Sequence, residues 1–172
     1  MRLFLFAAGL SALCLATPAS AEDTKACGAG LICASNPQTV MAALEKAGLK
    51  PTLTKDGEGD PLIESDESTY HFDVYFYGCK DNRNCDSLRF EVLFEKAPEN
   101  TPALADKWNS KNRFLQASVR NDQQFAVAYD LATIGGLNAA NFGDVIDWWN
   151  SQLGEVATFF KEEVPEKPKA KS

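Results

Sequence analysis

The clearest signal in the chain is alternation of apolar and polar residues in two neighbouring segments. From Thr69 to Tyr77, Tyr70, Phe72, Val74 and Phe76 fall on one side, and His71, Asp73, Tyr75 and Tyr77 on the other. From Ser87 to Glu95, Leu88, Phe90, Val92 and Phe94 alternate with Arg89, Glu91 and Glu95. A period of two is that of a strand with one buried face, and its clean form points to an antiparallel sheet. Thr52–Lys55 and Leu62–Ser65 flank the turn-rich Asp56-Gly57-Glu58-Gly59-Asp60 and read as a further hairpin. Leu115, Ala117 and Val119, then Phe125, Val127, Tyr129 and Leu131, give two more strands around Asn121-Asp122.

Helical spacing appears in three places. Val40, Met41, Leu44 and Ala47 form a stripe after Ser35-Asn36-Pro37-Gln38, which supplies an N-cap, a first-turn proline and a glutamine at capping-box spacing, and Gly48 is a natural stop. Thr101-Pro102 opens a second helix that carries Leu104, Ala105 and Trp108 and ends near Arg113. The third runs from about Ala139 to Lys161, with Ile146, Trp149, Leu153, Val156 and Phe160 as its core stripe and Trp148 and Phe159 on an adjacent face. The expected class is therefore α+β: an antiparallel sheet of about six strands, in the order α-ββββ-α-ββ-α, flanked by helices. The tail from Glu162 is charged and proline-bearing, and is expected to be disordered.

The N-terminus has a different character. Arg2, the apolar run Leu3–Leu15, Thr17-Pro18 and Ala19-Ser20-Ala21 match a signal peptide cleaved after Ala21. Cys14 follows Leu13 rather than a small residue and reads as part of the apolar run, not as a lipidation site. The mature chain would be one domain, 35–161, behind a short leader, 22–34, and would be periplasmic or secreted. Its charge, −7 for the whole chain and −8 without Arg2, argues against nucleic-acid or membrane partners.

Export changes the meaning of the cysteines. Cys27, Cys33, Cys79 and Cys85 form two C-x5-C pairs. Four cysteines allow three connectivities, and the equal spacing favours Cys27–Cys33 with Cys79–Cys85. A four-thiolate zinc site normally has closer pairs, and a thioredoxin-like C-x-x-C is absent.

No catalytic, cofactor or metal set emerges. His71, with Asp73 on its face, is the single histidine, and any hydrolase built from dispersed acids would have to work around it. Asp56, Glu58, Asp60 and Glu67 have the spacing of a calcium loop, but Pro61 stands where an EF-hand requires glycine. The aromatic residues off the main stripes, Tyr75, Tyr77, Trp148 and Phe159, are the candidate surface for a protein partner or for a second copy of the chain.

The order of elements, with Trp108-Asn109, Arg113-Phe114, Tyr129-Asp130-Leu131, Gly135-Gly136, Phe142 and Trp149, resembles the YbjN-domain family, described as "putative bacterial sensory transduction regulators". The resemblance covers about Thr39 to Phe160. It implies a fold similar to type III secretion chaperones, which bind polypeptides and often dimerise, and it brings no catalytic residues. A signal peptide and four mature cysteines set this chain apart from cytoplasmic members. The expected function is an exported, non-enzymatic protein-interaction module, regulatory or chaperone-like. The alternatives are a small-ligand or envelope-stress sensor, with a pocket between sheet and helices, and a hydrolase near His71.

Overall fold

A computed structural model describes residues 27–164. The proposed signal peptide and the last eight residues lie outside this range. The order is α1 (Pro37–Lys46), β1 (Thr52–Lys55), β2 (Pro61–Glu67), β3 (Tyr70–Tyr77), β4 (Ser87–Leu93), α2 (Pro102–Lys111), β5 (Gln116–Val119), β6 (Phe125–Ala132) and α3 (Ala139–Glu163). The six strands form one sheet in the order β1-β2-β3-β4-β6-β5, and every neighbouring pair is antiparallel. Chain order is broken once: the connection through α2 carries the chain past the place that β6 later fills. Among the described residues no helix is long and apolar enough to cross a membrane.

The helix ends follow local chemistry. Gly48, at φ +91°, lets α1 close with Leu49 N–H on the Leu44 carbonyl and Gly48 N–H on that of Glu45, while Leu44 and Leu49 are both buried. The start of α1 differs from expectation. Asn36 is the N-cap and makes no side-chain cap bond, while the hydroxyl of Thr39 donates to the Asn36 carbonyl at 2.7 Å. Thr101 Oγ1 accepts from Leu104 N–H, and Asn138 Oδ1 from Asn141 N–H, at the starts of α2 and α3.

One face of the sheet carries the core. Ile63, Phe72, Val74, Phe76, Leu88, Phe90, Val92, Phe125 and Val127 meet Val40 and Leu44 of α1, Trp108 of α2 and Phe142, Ile146, Trp149, Leu153 and Val156 of α3 in one buried cluster. Trp149 sits at its centre, 5.5 Å from both Phe72 and Phe90, with no exposed area. α2 also protects the edge of the sheet. The Asn109 side-chain amide accepts from Ala117 N–H at 2.8 Å and donates to its carbonyl at 3.0 Å, completing the outer ladder of β5 as a neighbouring strand would.

Two disulfides lock the loops at one end of the sheet. Cys79–Cys85 clamps the β3–β4 connection, and Cys27–Cys33 closes the leader, so none of the four thiolates is available to a metal. Thr133, almost wholly buried, ties these parts together. Its hydroxyl accepts from Ala34 N–H and donates to the Asp86 carbonyl. Ile32 and Leu137 exchange two backbone hydrogen bonds beside it. Gly136 is required here: a Cβ would lie 2.8 Å from Leu31 and 3.1 Å from Cys33 Sγ. In the acidic turn Asp56 Oδ1 accepts the N–H groups of Glu58 and Asp60.

Two expectations need correction. Phe159 is not a surface residue: it is buried, with its ring 5.4 Å from that of Trp108. The arc of α3 that packs is wider than one stripe because α2 lies beside its C-terminal half; Phe160, assigned to the core, is half-buried against Phe94 and Phe125. The helix also continues through Glu162 and Glu163, past the expected start of a disordered tail. Glu163 receives Lys107 at 2.6 Å and Lys111 at 3.5 Å, which holds its carboxyl below the usual carboxylate range.

Candidate functional site

Two surfaces hold residues beyond what packing demands. The first is the open face of the sheet. Strand register sets Glu64, Asp73, Glu91 and Ala128 in one row, with Leu62, Tyr75, Arg89 and Asp130 in the next. Glu91 is 6% exposed despite facing away from the helices. Its carboxylate accepts from Arg89 Nε at 3.2 Å and from Arg120, whose side chains fold over it. Arg89 also donates to both carboxylate oxygens of Asp130 at 3.2 Å. Tyr75 donates to Asp73 Oδ2 at 3.1 Å, and burial followed by the Asp73 charge pushes its phenol up to about 12. Tyr77 is half exposed beside it. Tyr75 and Tyr77 are therefore neighbours, but the hydroxyl of Tyr75 is committed within the ionic network.

His71 belongs to the same face. Asp66 Oδ1 lies 3.1 Å from its Nδ1, and Asp73 Oδ1 3.6 Å from its Nε2. Both ring nitrogens face carboxylates.

The second surface lies on the helical side. Phe114, in the α2–β5 connection, has φ +69°, a left-handed conformation that a bulky residue adopts only under constraint. The constraint comes from both sides: Trp108 Nε1 donates to the Leu115 carbonyl and Asn109 holds Ala117. The Phe114 ring is thereby turned onto Trp148 of α3, 4.9 Å away, and lies 6.0 Å from Tyr129 of β6. Arg113 sits over it at 4.9 Å. Phe114 is 36% and Trp148 40% exposed. From Trp148 the outer side of α3 borders a hollow of about 420 Å³ lined by Leu131, Leu137, Ala140, Asn141, Asp144 and Val145. Burial and the Asp144 charge raise the Tyr129 phenol. The aromatic cluster and the hollow between α3 and β6 therefore lie side by side along α3, Asp144 and Val145 preceding Trp148 by about one helical turn.

The four aromatic candidates thus separate. Tyr75 and Tyr77 share the open sheet face, Trp148 lies on the opposite side, and Phe159 is in the core. Phe114 was missed as a surface residue because a single exposed aromatic in a loop has no periodicity; its place depends on the positive φ.

The family model described as "Putative bacterial sensory transduction regulator", YbjN, matches residues 36–162. The chain belongs to the YbjN family. The fold is similar to the crystal structure of YbjN from E. coli, described as "a putative transcription regulator": TM-score 0.54 at 12% identity, covering 73% of this chain and 90% of that one. No curated protein matches the chain. In this YbjN-family chain the residues that carry the sequence resemblance have distinct structural tasks. Trp108 and Asn109 fix the strand after α2, Arg113, Phe114 and Tyr129 build the aromatic surface, and Phe142 and Trp149 fill the core.

Proposed function

We infer that this protein is an exported, non-enzymatic regulatory module that binds a polypeptide, either a partner or a second copy of itself, on the surface formed by Phe114, Trp148 and the adjoining hollow. The observation that carries this reading is the contact of the Phe114 and Trp148 rings, each more than a third exposed, with the backbone beside Phe114 held by the Trp108 indole of α2. An exposed aromatic pair beside a hollow of mixed apolar and polar lining suits the anchor of a polypeptide contact. The family description as a regulator supports a binding role. Two disulfides suit an oxidising compartment, and the N-terminal pattern suits export. Direct control of transcription fits poorly with that location and with a net charge of −7.

The sensor reading has less support. The recess between α1 and α3 measures about 220 Å³, below the roughly 300–1,000 Å³ of ligand pockets, and the hollow of about 420 Å³ between α3 and β6, which falls within that range, is open to the surface instead of enclosed between sheet and helices. The hydrolase reading, by dispersed acids near His71, has Asp66 and Asp73 beside the imidazole, on a face where His71 and Asp66 are largely exposed.

A photo-crosslinking residue placed at Trp148, and separately at Tyr77, tests the surface in cells expressing the full chain. Adducts are expected from position 148, at the mass of a partner or of a dimer, and not from 77. Absence of adducts at 148 removes the proposal. Fractionation with N-terminal sequencing tests export, with Glu22 as the expected first residue.

A further inference from the structure

The open face of β2 and β3 carries a two-by-two group of side chains. Glu64 stands opposite Asp73, and Asp66 opposite His71. Like charges directly across a strand pair repel. In the same row Glu91 is offset by Arg89 and Arg120, whereas Asp73 meets the Tyr75 hydroxyl and the His71 imidazole. One ligand atom from each of Glu64, His71 and Asp73 lies within 4.8 Å of the other two.

The separation of His71 from Asp73 suits a shared cation better than direct contact. His71 Nε2 and Asp73 Oδ1 are 3.6 Å apart, too far for a hydrogen bond. Two ligands of a tetrahedral ion with bonds of about 2.0–2.1 Å stand roughly 3.3–3.4 Å apart. The remaining atoms are oriented. Asp66 Oδ1 stands 3.1 Å from Nδ1, and a carboxylate there favours the tautomer with the proton on Nδ1 and the lone pair on Nε2, the nitrogen toward Asp73. Tyr75 occupies Asp73 Oδ2 and leaves Oδ1 toward the imidazole. A carboxylate holding the far nitrogen of a ligand histidine is a recurrent feature of zinc sites.

We propose that Glu64, His71 and Asp73 bind a divalent transition-metal ion, Zn²⁺ by ligand type, with Asp66 and Tyr75 positioning His71 and Asp73. Oxygen donors alone would suit Ca²⁺ or Mg²⁺; the imidazole moves the preference to Zn²⁺. His71 and Asp66 are largely exposed, so the fourth position opens to solvent and to a coordinating group from outside the chain. The site lies on the sheet face opposite the Trp148 surface and does not depend on the binding role assigned to it.

The test uses tag-free protein purified from cells expressing the full chain, stripped with EDTA and titrated with Zn²⁺ against a chromophoric chelator. One Zn²⁺ per chain is expected, uncontested by a hundredfold excess of Ca²⁺. His71→Ala should abolish this binding, and Asp66→Asn should weaken it about 10- to 100-fold while the stoichiometry stays at one. Far-UV circular dichroism verifies folding, and Glu64→Gln, which also should lose the ion, serves as a second variant. Lack of saturable Zn²⁺ binding by the wild type, or unchanged binding in folded His71→Ala, overturns the proposal.

Discussion

The two faces of the sheet are built from alternate residues of the same strands, yet they are held by different forces. On the helical face Phe72, Phe90, Phe142 and Trp149 interlock, with ring centroids 5.5–6.4 Å apart. Burial and dispersion stabilise it. On the open face Glu91, Arg89, Arg120, Asp130, Asp73 and Tyr75 form a lattice of charge-assisted hydrogen bonds. Its members gain little from burial and much from having a partner. The difference teaches where each face can change. The core tolerates no loss of volume. The open face depends on keeping its charges matched, and where the match is incomplete, at Glu64, Asp73 and His71, it offers chemistry.

The strongest way to break the comparison is Trp149→Ala. Removing a fully buried indole should cost about 3–5 kcal/mol, read from chemical denaturation. A loss under about 1 kcal/mol would mean that the helical face is not the main source of stability. Glu91→Ala should rank second. Two arginines would lose the carboxylate that gathers them, and because they are partly exposed the cost should be about 1–3 kcal/mol, the range for charge-assisted bonds. An effect as large as that of Trp149→Ala would place the ionic face on an equal footing.

The finest probe is pH. All four tyrosines of the chain have phenols raised by burial, with Tyr75 highest at about 12. The folded phenol keeps its proton longer than the unfolded one. The stability from Tyr75 is therefore complete below about pH 10, the unfolded value, and is lost as pH rises toward about 12. Ultraviolet titration should show a last phenolate step near 12, and Asp73→Asn should move that step down. An unchanged step would uncouple Tyr75 from the network.

Much of the fold was legible because side-chain period is a local property. Alternation in 69–77 and 87–95 is matched by β3 and β4, and the inward residues lie in the core or against it. Helix stops at Gly48 and starts at Thr101 follow from single residues. Phe159 was misread because one helix viewed alone has one stripe, and only α2 beside it doubles the buried arc. Glu64 escaped notice as a neighbour of His71 and Asp73 because cross-strand register is a pairing of distant segments.

By itself the sequence determined the element order, the inward face of β3 to β6 and the cysteines available for pairing. These depend on dihedral preference and on spacings of two to six residues. Tertiary structure alone decided that Phe114 meets Trp148 and Tyr129, that Asn109 completes the edge of β5, and that three acids gather around His71. Each of these contacts joins elements whose approach is set by the packing of the whole core, and no local pattern encodes it.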